Sequence, residues 1–128
     1  MPDIPTAEVI RRFNEAFLGH DPAALADLVA DDCVMESVQP APAGTRYEGR
    51  DACLTFWQDL AADRSTSFAP EDVVVAGERA VILWRARFGG DETSPVFDDR
   101  AGGSVRGVNI MHVRDGRIVE ALGYAKTP

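Results

Sequence analysis

Apolar residues in the first part of the chain recur with the period of an α-helix. Val9, Phe13 and Phe17 are spaced four residues apart, so a helix that begins near Thr6 carries all three on one side. Gly19 is well suited to end such a helix, because glycine is the residue found most often just beyond a helix C-terminus. The pattern therefore predicts a first helix between these two points.

Two further helices are predicted before the middle of the chain. Asp21 is a favourable N-cap and Pro22 suits the first helical position, so a second helix is expected to begin there. A third is expected to begin near residues 49–51 and to end near residues 63–65. The apolar side chains of these two helices are Leu25, Leu28 and Val29, followed by Leu54, Phe56, Trp57, Leu60 and Ala61.

The remaining segments have the short apolar runs and turn signals of strands. Asp115-Gly116 is a strong two-residue hairpin signal, and residues 89–103 are rich enough in glycine, proline and acidic residues to predict a long mobile connection. Helices first and antiparallel strands afterwards favour an α+β fold over a parallel βαβ fold. Strands are predicted over residues 33–38, 73–76, 80–88, 105–113 and 118–124, and a loop over residues 40–44.

Composition narrows the possible partners. The 128 residues suit one domain, and 45% hydrophobic with 27% charged residues is ordinary for a globular protein. A net charge of −8 repels phosphate backbones, so no nucleic-acid partner is expected. The chain contains neither a long apolar run nor a signal-peptide pattern, so no membrane association is expected. Two cysteines without a metal or redox spacing favour a cytoplasmic location, and the preference for Arg over Lys is typical of a GC-rich bacterium.

Familiar catalytic and nucleotide-binding motifs are missing from the sequence. It contains no phosphate-binding glycine loop, no nucleophile elbow and no histidine pair of a zinc protease, so no metal and no cofactor is predicted. His20 falls in a predicted turn and His112 in a predicted strand, where structural roles are favoured over catalysis. Cys33 and Cys53 are interpreted as small buried hydrophobic residues.

The order of the elements resembles that of the nuclear transport factor 2-like superfamily. The resemblance is greatest to its SnoaL-like branch, which includes ketosteroid isomerase, polyketide cyclases and limonene epoxide hydrolase. It extends over nearly the whole chain but specifies no substrate. The matching segments are Gly19-His20-Asp21-Pro22-Ala23-Ala24-Leu25, Leu28-Val29-Ala30-Asp31-Asp32, Tyr47-Glu48-Gly49-Arg50-Asp51-Ala52, Phe56-Trp57 and the stretch from Arg106 to Glu120.

This resemblance implies a cone-shaped fold over residues 1–128. A strongly curved, mostly antiparallel sheet would wrap around three N-terminal helices, as in other cystatin-like α+β rolls, and leave an apolar pocket for a small-molecule ligand. The resemblance also implies a homodimer, because subunits of such proteins commonly pack through the outer face of the sheet.

The acid–base residues of ketosteroid isomerase are replaced in this chain. The resemblance aligns the isomerase tyrosine with Phe13, its base aspartate with Ser37, and its protonated aspartate with Asn109. A serine hydroxyl without a base has too high a pKa to remove an α-proton near neutral pH. Steroid isomerisation by that triad is therefore not expected.

Strand alternation, combined with the resemblance, gives a candidate site. Met35 shares a face with Ser37, and Asn109 shares a face with Met111. The resemblance places Leu83, Arg85 and Arg87 inside the cone, where the Arg85 guanidinium and the Asn109 amide would hold a carboxylate or enolate oxygen. In an alternative interpretation, both arginines face solvent near the open rim, or pair with Glu36, Glu71 or Glu120 across the sheet. The predicted ligand-contacting residues are Phe13, Phe17, Met35, Ser37, Phe56, Trp57, Leu83, Arg85, Asn109 and Met111.

Two classes of function are compatible with these residues. In the first, the protein is a cofactor-independent isomerase, cyclase or hydratase-type lyase that acts on a small carbonyl or carboxylate compound. Arg85, Asn109 and Ser37 are its catalytic candidates, because oriented donors stabilise developing negative charge. In the second, the protein is a non-catalytic ligand-binding or dimerisation module, which explains the absence of an acid–base pair.

Overall fold

The computed structural model describes residues 4–38, 43–64, 66–88 and 104–126. These residues form two α-helices, one 3₁₀ helix and six strands. The helices are α1 (Thr6–Leu18), the 3₁₀ helix (Pro22–Leu28) and α2 (Arg50–Ala62). The strands are β1 (Val29–Glu36), β2 (Arg46–Glu48), β3 (Thr66–Ala76), β4 (Arg79–Phe88), β5 (Ser104–Arg114) and β6 (Arg117–Ala125).

All six strands belong to one mixed sheet in the order β2-β1-β6-β5-β4-β3. Strands β3 to β6 form an antiparallel meander, and β1 joins the far side of β6 in parallel. The β5–β6 turn places Asp115 at φ 54° and Gly116 at φ 75°, the left-handed pair that a tight two-residue hairpin turn requires. The structure is thus the predicted α+β fold, a curved and mostly antiparallel sheet packed against three helices.

The sheet has two chemically different faces. The inner face is turned toward the helices and carries buried apolar residues such as Ile82, Ala86 and Met111. The outer face carries the alternate residues of the same strands, among them Val81, with 38% of its surface exposed, and Tyr124, with 52%. The core therefore lies between the helices and the inner face, and the outer face is open in the isolated chain.

Several details differ from the sequence-based expectations. The second helix begins at Pro22 as predicted, but it is a 3₁₀ helix that leads directly into β1 at Val29. Strand β2 was not predicted, because the three residues Arg46–Glu48 are too few to show a period. Strand β3 begins at Thr66, well before the predicted start. Most of the predicted loop at 40–44 and all of the predicted connection at 89–103 lie outside the described residues.

The part of the chain that is described contains no helix long and apolar enough to cross a membrane. Within the same ranges, no three histidine, cysteine, aspartate or glutamate side chains are grouped as a metal site requires.

Candidate functional site

A cavity opens between the inner face of the sheet and helices α1 and α2. Its volume is about 70 Å³, several times the ~10–15 Å³ that a single water molecule needs. A small ligand therefore fits in it. The lining residues are mostly apolar: Phe13, Asn14, Phe17, Met35, Glu36, Ser37, Val38, Phe56, Trp57, Leu60, Phe68, Pro70, Ile82, Trp84, Asn109, Ala121 and Gly123.

Aromatic rings form a continuous arc along one side of this cavity. Phe13 meets Trp57 at 5.2 Å and Phe17 at 5.0 Å between ring centroids. Phe68 continues the arc at 5.8 Å from Phe17 and 5.7 Å from Trp84. All four contacts are edge-to-face, the arrangement that aromatic quadrupoles favour. The arc holds the wall of the cavity in one arrangement and offers apolar ring surface to a ligand.

Asn109 is the polar group best placed to bind a ligand in this cavity. Its Oδ1 accepts a hydrogen bond from the Trp84 indole Nε1–H at 3.2 Å. An indole nitrogen is only a donor, so this bond identifies which end of the amide is the oxygen. The amide nitrogen makes no hydrogen bond to any described residue, and no completely buried polar side-chain atom in the described ranges lacks a partner. Since Asn109 is on the inner face, its N–H₂ group therefore opens into the cavity.

Trp84 is held in place by the strand beside it. The Trp84 ring lies over Gly107, its cross-strand neighbour, and a Cβ at position 107 would come within 2.5 Å of both the ring and the Tyr124 carbonyl oxygen. A larger residue at 107 would thus displace Trp84 from Asn109. Glycine at position 107 therefore leaves the space that the Trp84 indole occupies.

Ser37 is buried and already hydrogen-bonded. Its Oγ accepts from the Thr45 backbone N–H at 3.2 Å and lies 3.5 Å from the Thr45 carbonyl oxygen. These contacts connect the end of β1 to the segment before β2. The hydroxyl therefore takes part in the local backbone hydrogen bonding between these two segments.

Two further polar residues touch the cavity. Asn14 is on α1 next to Phe13, and its amide makes no side-chain hydrogen bond within the described ranges. Glu36 also borders the cavity, but its carboxylate accepts a hydrogen bond from Arg46 at 3.3 Å. The cavity thus contains two neutral amides, with one ion-paired carboxylate at its border.

Comparison with known proteins now assigns the family. The sequence profile of the SnoaL-like domain matches residues 10–121, which is most of the chain. The protein belongs to the SnoaL-like domain family. No curated protein sequence matches it.

Solved structures agree with this assignment. An NTF2-like protein of unknown function from Mesorhizobium loti is 47% identical to this SnoaL-like chain, with coverage of 99% of this chain and 100% of that one and a TM-score of 0.83. An LEH-like epoxide hydrolase from M. tuberculosis is 16% identical, with coverage of 94% and 78% and a TM-score of 0.69. A protein of unknown function with a cystatin-like fold from Methylobium petroleophilum is 16% identical, with coverage of 96% and 76% and a TM-score of 0.71. At this low identity, the last two show the fold alone.

The predicted inward orientation of Arg85 in this SnoaL-like chain is wrong. Arg85 lies on the outer face, where its Nε is 3.7 Å from Glu71 Oε2, and Leu83 and Arg87 share that face. Burying a guanidinium in an apolar cone costs far more than pairing it at the surface, so the alternative interpretation with Glu71 was correct. Met111 is on the inner face as expected, but it is completely buried in the packed core and does not reach the cavity.

The remaining predicted residues come together in the SnoaL-like cavity, and several others were missed. Phe13, Phe17, Met35, Ser37, Phe56, Trp57 and Asn109 all line it. Trp84 and Ile82 were missed because the opposite face of β4 was chosen. The signal was present in the sequence, since Ile82, Trp84 and Ala86 form an apolar row that alternates with a charged one.

The cysteines and histidines have structural surroundings. Cys33 and Cys53 are both free and completely buried, and the Cys53 thiol lies 3.4 Å from the Cys33 carbonyl oxygen. Burial raises the pKa of both thiols, which keeps them protonated and unreactive near neutral pH. His20 Nδ1 is 2.9 Å from the Ala61 carbonyl oxygen, and His112 is 3.4 Å from Glu78, so neither borders the cavity.

Proposed function

We propose that this SnoaL-like domain binds a small, mainly apolar compound that carries a carbonyl oxygen, with the Asn109 N–H₂ group as its hydrogen-bond donor. The observation that carries the proposal is the Trp84–Asn109 hydrogen bond at 3.2 Å, which leaves the amide nitrogen as the open end. The aromatic arc supplies the apolar surface, and a few placed polar groups in a mostly apolar pocket are typical of ligand sites.

A neutral ligand suits the charges around the cavity better than an anion. Arg85, the cation expected to neutralise a carboxylate, is on the outer face, and the charged residue among those that line the cavity, Glu36, is acidic. An anion placed beside neutral amides would lose its hydration without gaining a counter-ion. A ketone or aldehyde loses less on entering the cavity and still accepts the amide hydrogen bond.

The proposal is tested with cyclopentanone as a probe, by ligand-observed NMR titration. Asn109→Leu removes the donor at similar volume, and a neutral hydrogen bond contributes about 0.5–1.5 kcal/mol, so we expect the affinity to fall about 2- to 10-fold. Arg85→Ala is the control and should leave the affinity unchanged. Equal affinity in wild type and Asn109→Leu would contradict the proposal, as would a large loss in Arg85→Ala.

A catalytic version of the same site is favoured by one observation, the presence of Glu36 on the cavity border next to Ser37. In this version the Glu36 carboxylate removes a proton from the carbon beside the carbonyl. The C–H electrons form the enolate C=C bond, and its oxygen accepts from Asn109. When the substrate carries a β,γ double bond, the enolate is a conjugated dienolate, and return of the proton from Glu36 to its γ-carbon moves the double bond into conjugation with the re-formed carbonyl, which is an isomerisation without a cofactor.

Hydrogen–deuterium exchange distinguishes a binder from this enzyme. An enolising enzyme accelerates deuterium incorporation at the α-carbons of cyclopentanone in D₂O, and Glu36→Gln abolishes the acceleration. Glu120→Gln removes a carboxylate that is ion-paired to Arg79 on the outer face, so it serves as the matched control. Binding without any acceleration in the wild type identifies a non-catalytic ligand-binding module.

We also propose that the protein forms a homodimer through the outer face of the sheet. Two adjacent rows of apolar residues cross the middle of that face. One end carries Arg85 and Arg106 with Glu71 between them, and the other carries Glu78 and Glu120 with Arg79 paired to Glu120. A two-fold axis through the rows would place the two-arginine end of each subunit against the two-glutamate end of its partner. The rows are Val81, Ile110 and Leu122, and Leu83, Val108 and Tyr124.

Sedimentation velocity tests the dimer. Val81→Arg places a charge in the middle of the rows and is expected to give monomers. Leu18→Arg makes the same kind of change at an exposed apolar residue of α1, which has 52% of its surface exposed, and should leave the dimer intact. A monomeric wild type would refute the dimer without affecting the ligand proposal.

The same proposal includes a bacterial, reducing cytoplasm as the location. Two buried free thiols, Cys33 and Cys53, support it, since disulfides are rare in such a compartment. Mass spectrometry of alkylated protein from the native host should show both thiols reduced, and a disulfide there would argue against this location.

A further inference from the structure

The Asn109 side chain can present either a hydrogen-bond donor or a hydrogen-bond acceptor to the cavity. An asparagine amide presents a donor or an acceptor depending on a half-turn about its last rotatable bond. In this protein the oxygen is occupied on one side by the Trp84 N–H at 3.2 Å. It also lies beside β6, where a Cβ at Gly123 would come within 3.3 Å of it. The half-turn would bring the amide N–H₂ against the indole N–H, donor facing donor.

The indole cannot easily move away to permit that half-turn. Trp84 has only 6% of its surface exposed, and its ring is packed edge-to-face against Phe68 at 5.7 Å. The ring also lies against Gly107, so closely that a methyl group at that position would collide with it. The N–H position is therefore set by packing, and rotation of Asn109 would leave that N–H without its acceptor.

We infer that Trp84 is a positioning residue that locks the Asn109 amide and makes the cavity selective for ligands that accept a hydrogen bond over ligands that only donate one. The inference rests on the proposed function and adds the hydrogen-bonding class of the ligand. A buried N–H left without a partner is penalised strongly enough to weaken a donor-only ligand roughly tenfold. Ketones, aldehydes, esters and epoxides are favoured, and N–H donors without an acceptor bind more weakly.

Two ring compounds of similar size test this selectivity. Cyclopentanone only accepts hydrogen bonds, and pyrrole donates through its N–H without a comparable acceptor. The measured quantity is the ratio of their dissociation constants in wild type and variants, because the ratio cancels a general loss of packing. Trp84→Phe keeps an aromatic ring but removes the N–H, so Asn109 becomes free to rotate. We expect pyrrole to bind about tenfold better relative to cyclopentanone.

Asn109→Asp provides the opposite change at nearly constant shape. One carboxylate oxygen still accepts from Trp84, and the other presents an acceptor to the cavity, so the preference should reverse in favour of pyrrole at pH 8. A purely structural role for Trp84 would weaken both compounds equally. An unchanged ratio in Trp84→Phe, or no reversal in Asn109→Asp, would overturn the inference.

A measurement without ligand separates this inference from the proposed function. The Trp84 indole N–H should exchange with solvent slowly in the wild type and at least about tenfold faster in Asn109→Leu, whose side chain cannot accept. If neither ring compound binds the wild type, the proposed function fails, while slow indole exchange still supports the lock. Rapid exchange in the wild type refutes the lock even if cyclopentanone binds.

Discussion

The two faces of strand β4 use polar residues in different ways. On the inner face, Trp84 and its neighbour Asn109 are neutral and join through one directional hydrogen bond. On the outer face, Arg85 and Arg106 stand side by side on adjacent strands and share the carboxylate of Glu71. Consecutive residues of one strand thus belong to a neutral network and to an ionic one.

The difference shows how burial selects the chemistry of a site. Ion pairs at a surface keep much of their hydration, so they can be arranged loosely and exchanged for one another. Inside the cavity a charge would lose that hydration, and oriented dipoles become the available means of discrimination. This is why the inner face can distinguish ligands by the direction of a hydrogen bond, whereas the outer face distinguishes mainly by charge and apolar area.

The largest expected effect comes from truncating neighbouring apolar residues on the two faces. Ile82 has 2% of its surface exposed, and Ile82→Ala should lower the free energy of unfolding by about 2–5 kcal/mol. Val81 has 38% exposed, and Val81→Ala should cost less than about 1 kcal/mol in the monomer. Urea unfolding at low protein concentration measures both. Equal losses would show that the outer face is covered in the monomer.

A smaller effect is expected from the ionic network of the outer face. Glu71→Gln removes the carboxylate between Arg85 and Arg106 and should lower the free energy of unfolding by less than about 1 kcal/mol. The loss should shrink further in high salt, because exposed charges are screened. Urea unfolding at two salt concentrations measures it. A salt-independent loss of several kcal/mol would mean that the cluster behaves as a buried one.

The smallest effect is expected at Glu8, on the exposed side of α1. Hydrogen bonds from Arg11 and Arg12 lower the pKa of Glu8 from 4.5 to about 2. A lowered folded-state pKa stabilises the protein above pH 4.5, and this contribution is lost as the pH falls from 4.5 toward 2. The difference in Tm between wild type and Glu8→Gln should therefore narrow over that range. A difference that grows toward pH 2 would contradict the ion pairs.

The helices and the hairpins were predictable because each has a strong local signal. The apolar spacing around Phe13 gave α1, and Asp115-Gly116 gave the last turn. Strand β2 and the long start of β3 depend on partners far along the chain, which no local period reveals. The family resemblance supplied the arrangement of these elements as a sheet packed on helices.

The cavity was only partly predictable because alternation separates two faces without saying which one is buried. The choice for β4 followed the resemblance and placed Arg85 inside, although the cost of burying its charge favoured Trp84. The Trp84–Asn109 bond could not have been predicted, since the two residues are diagonal neighbours on adjacent strands and the sequence does not give the register between those strands. Choosing the opposite face of β4 as the buried one would have identified Trp84 and Ile82 as cavity residues.

The parallel pairing of β1 with β6 has a consequence for how the chain is made. Met35 of β1 lies against Ala121 of β6, so the first of the described strands can pair there only after the last of them has been synthesised. Contacts this distant in sequence slow folding, because a long loop must close before they form. During translation, the edge of β1 that pairs with β6 therefore stays open until β6 has left the ribosome. Chaperones can act on this exposed strand edge in the meantime.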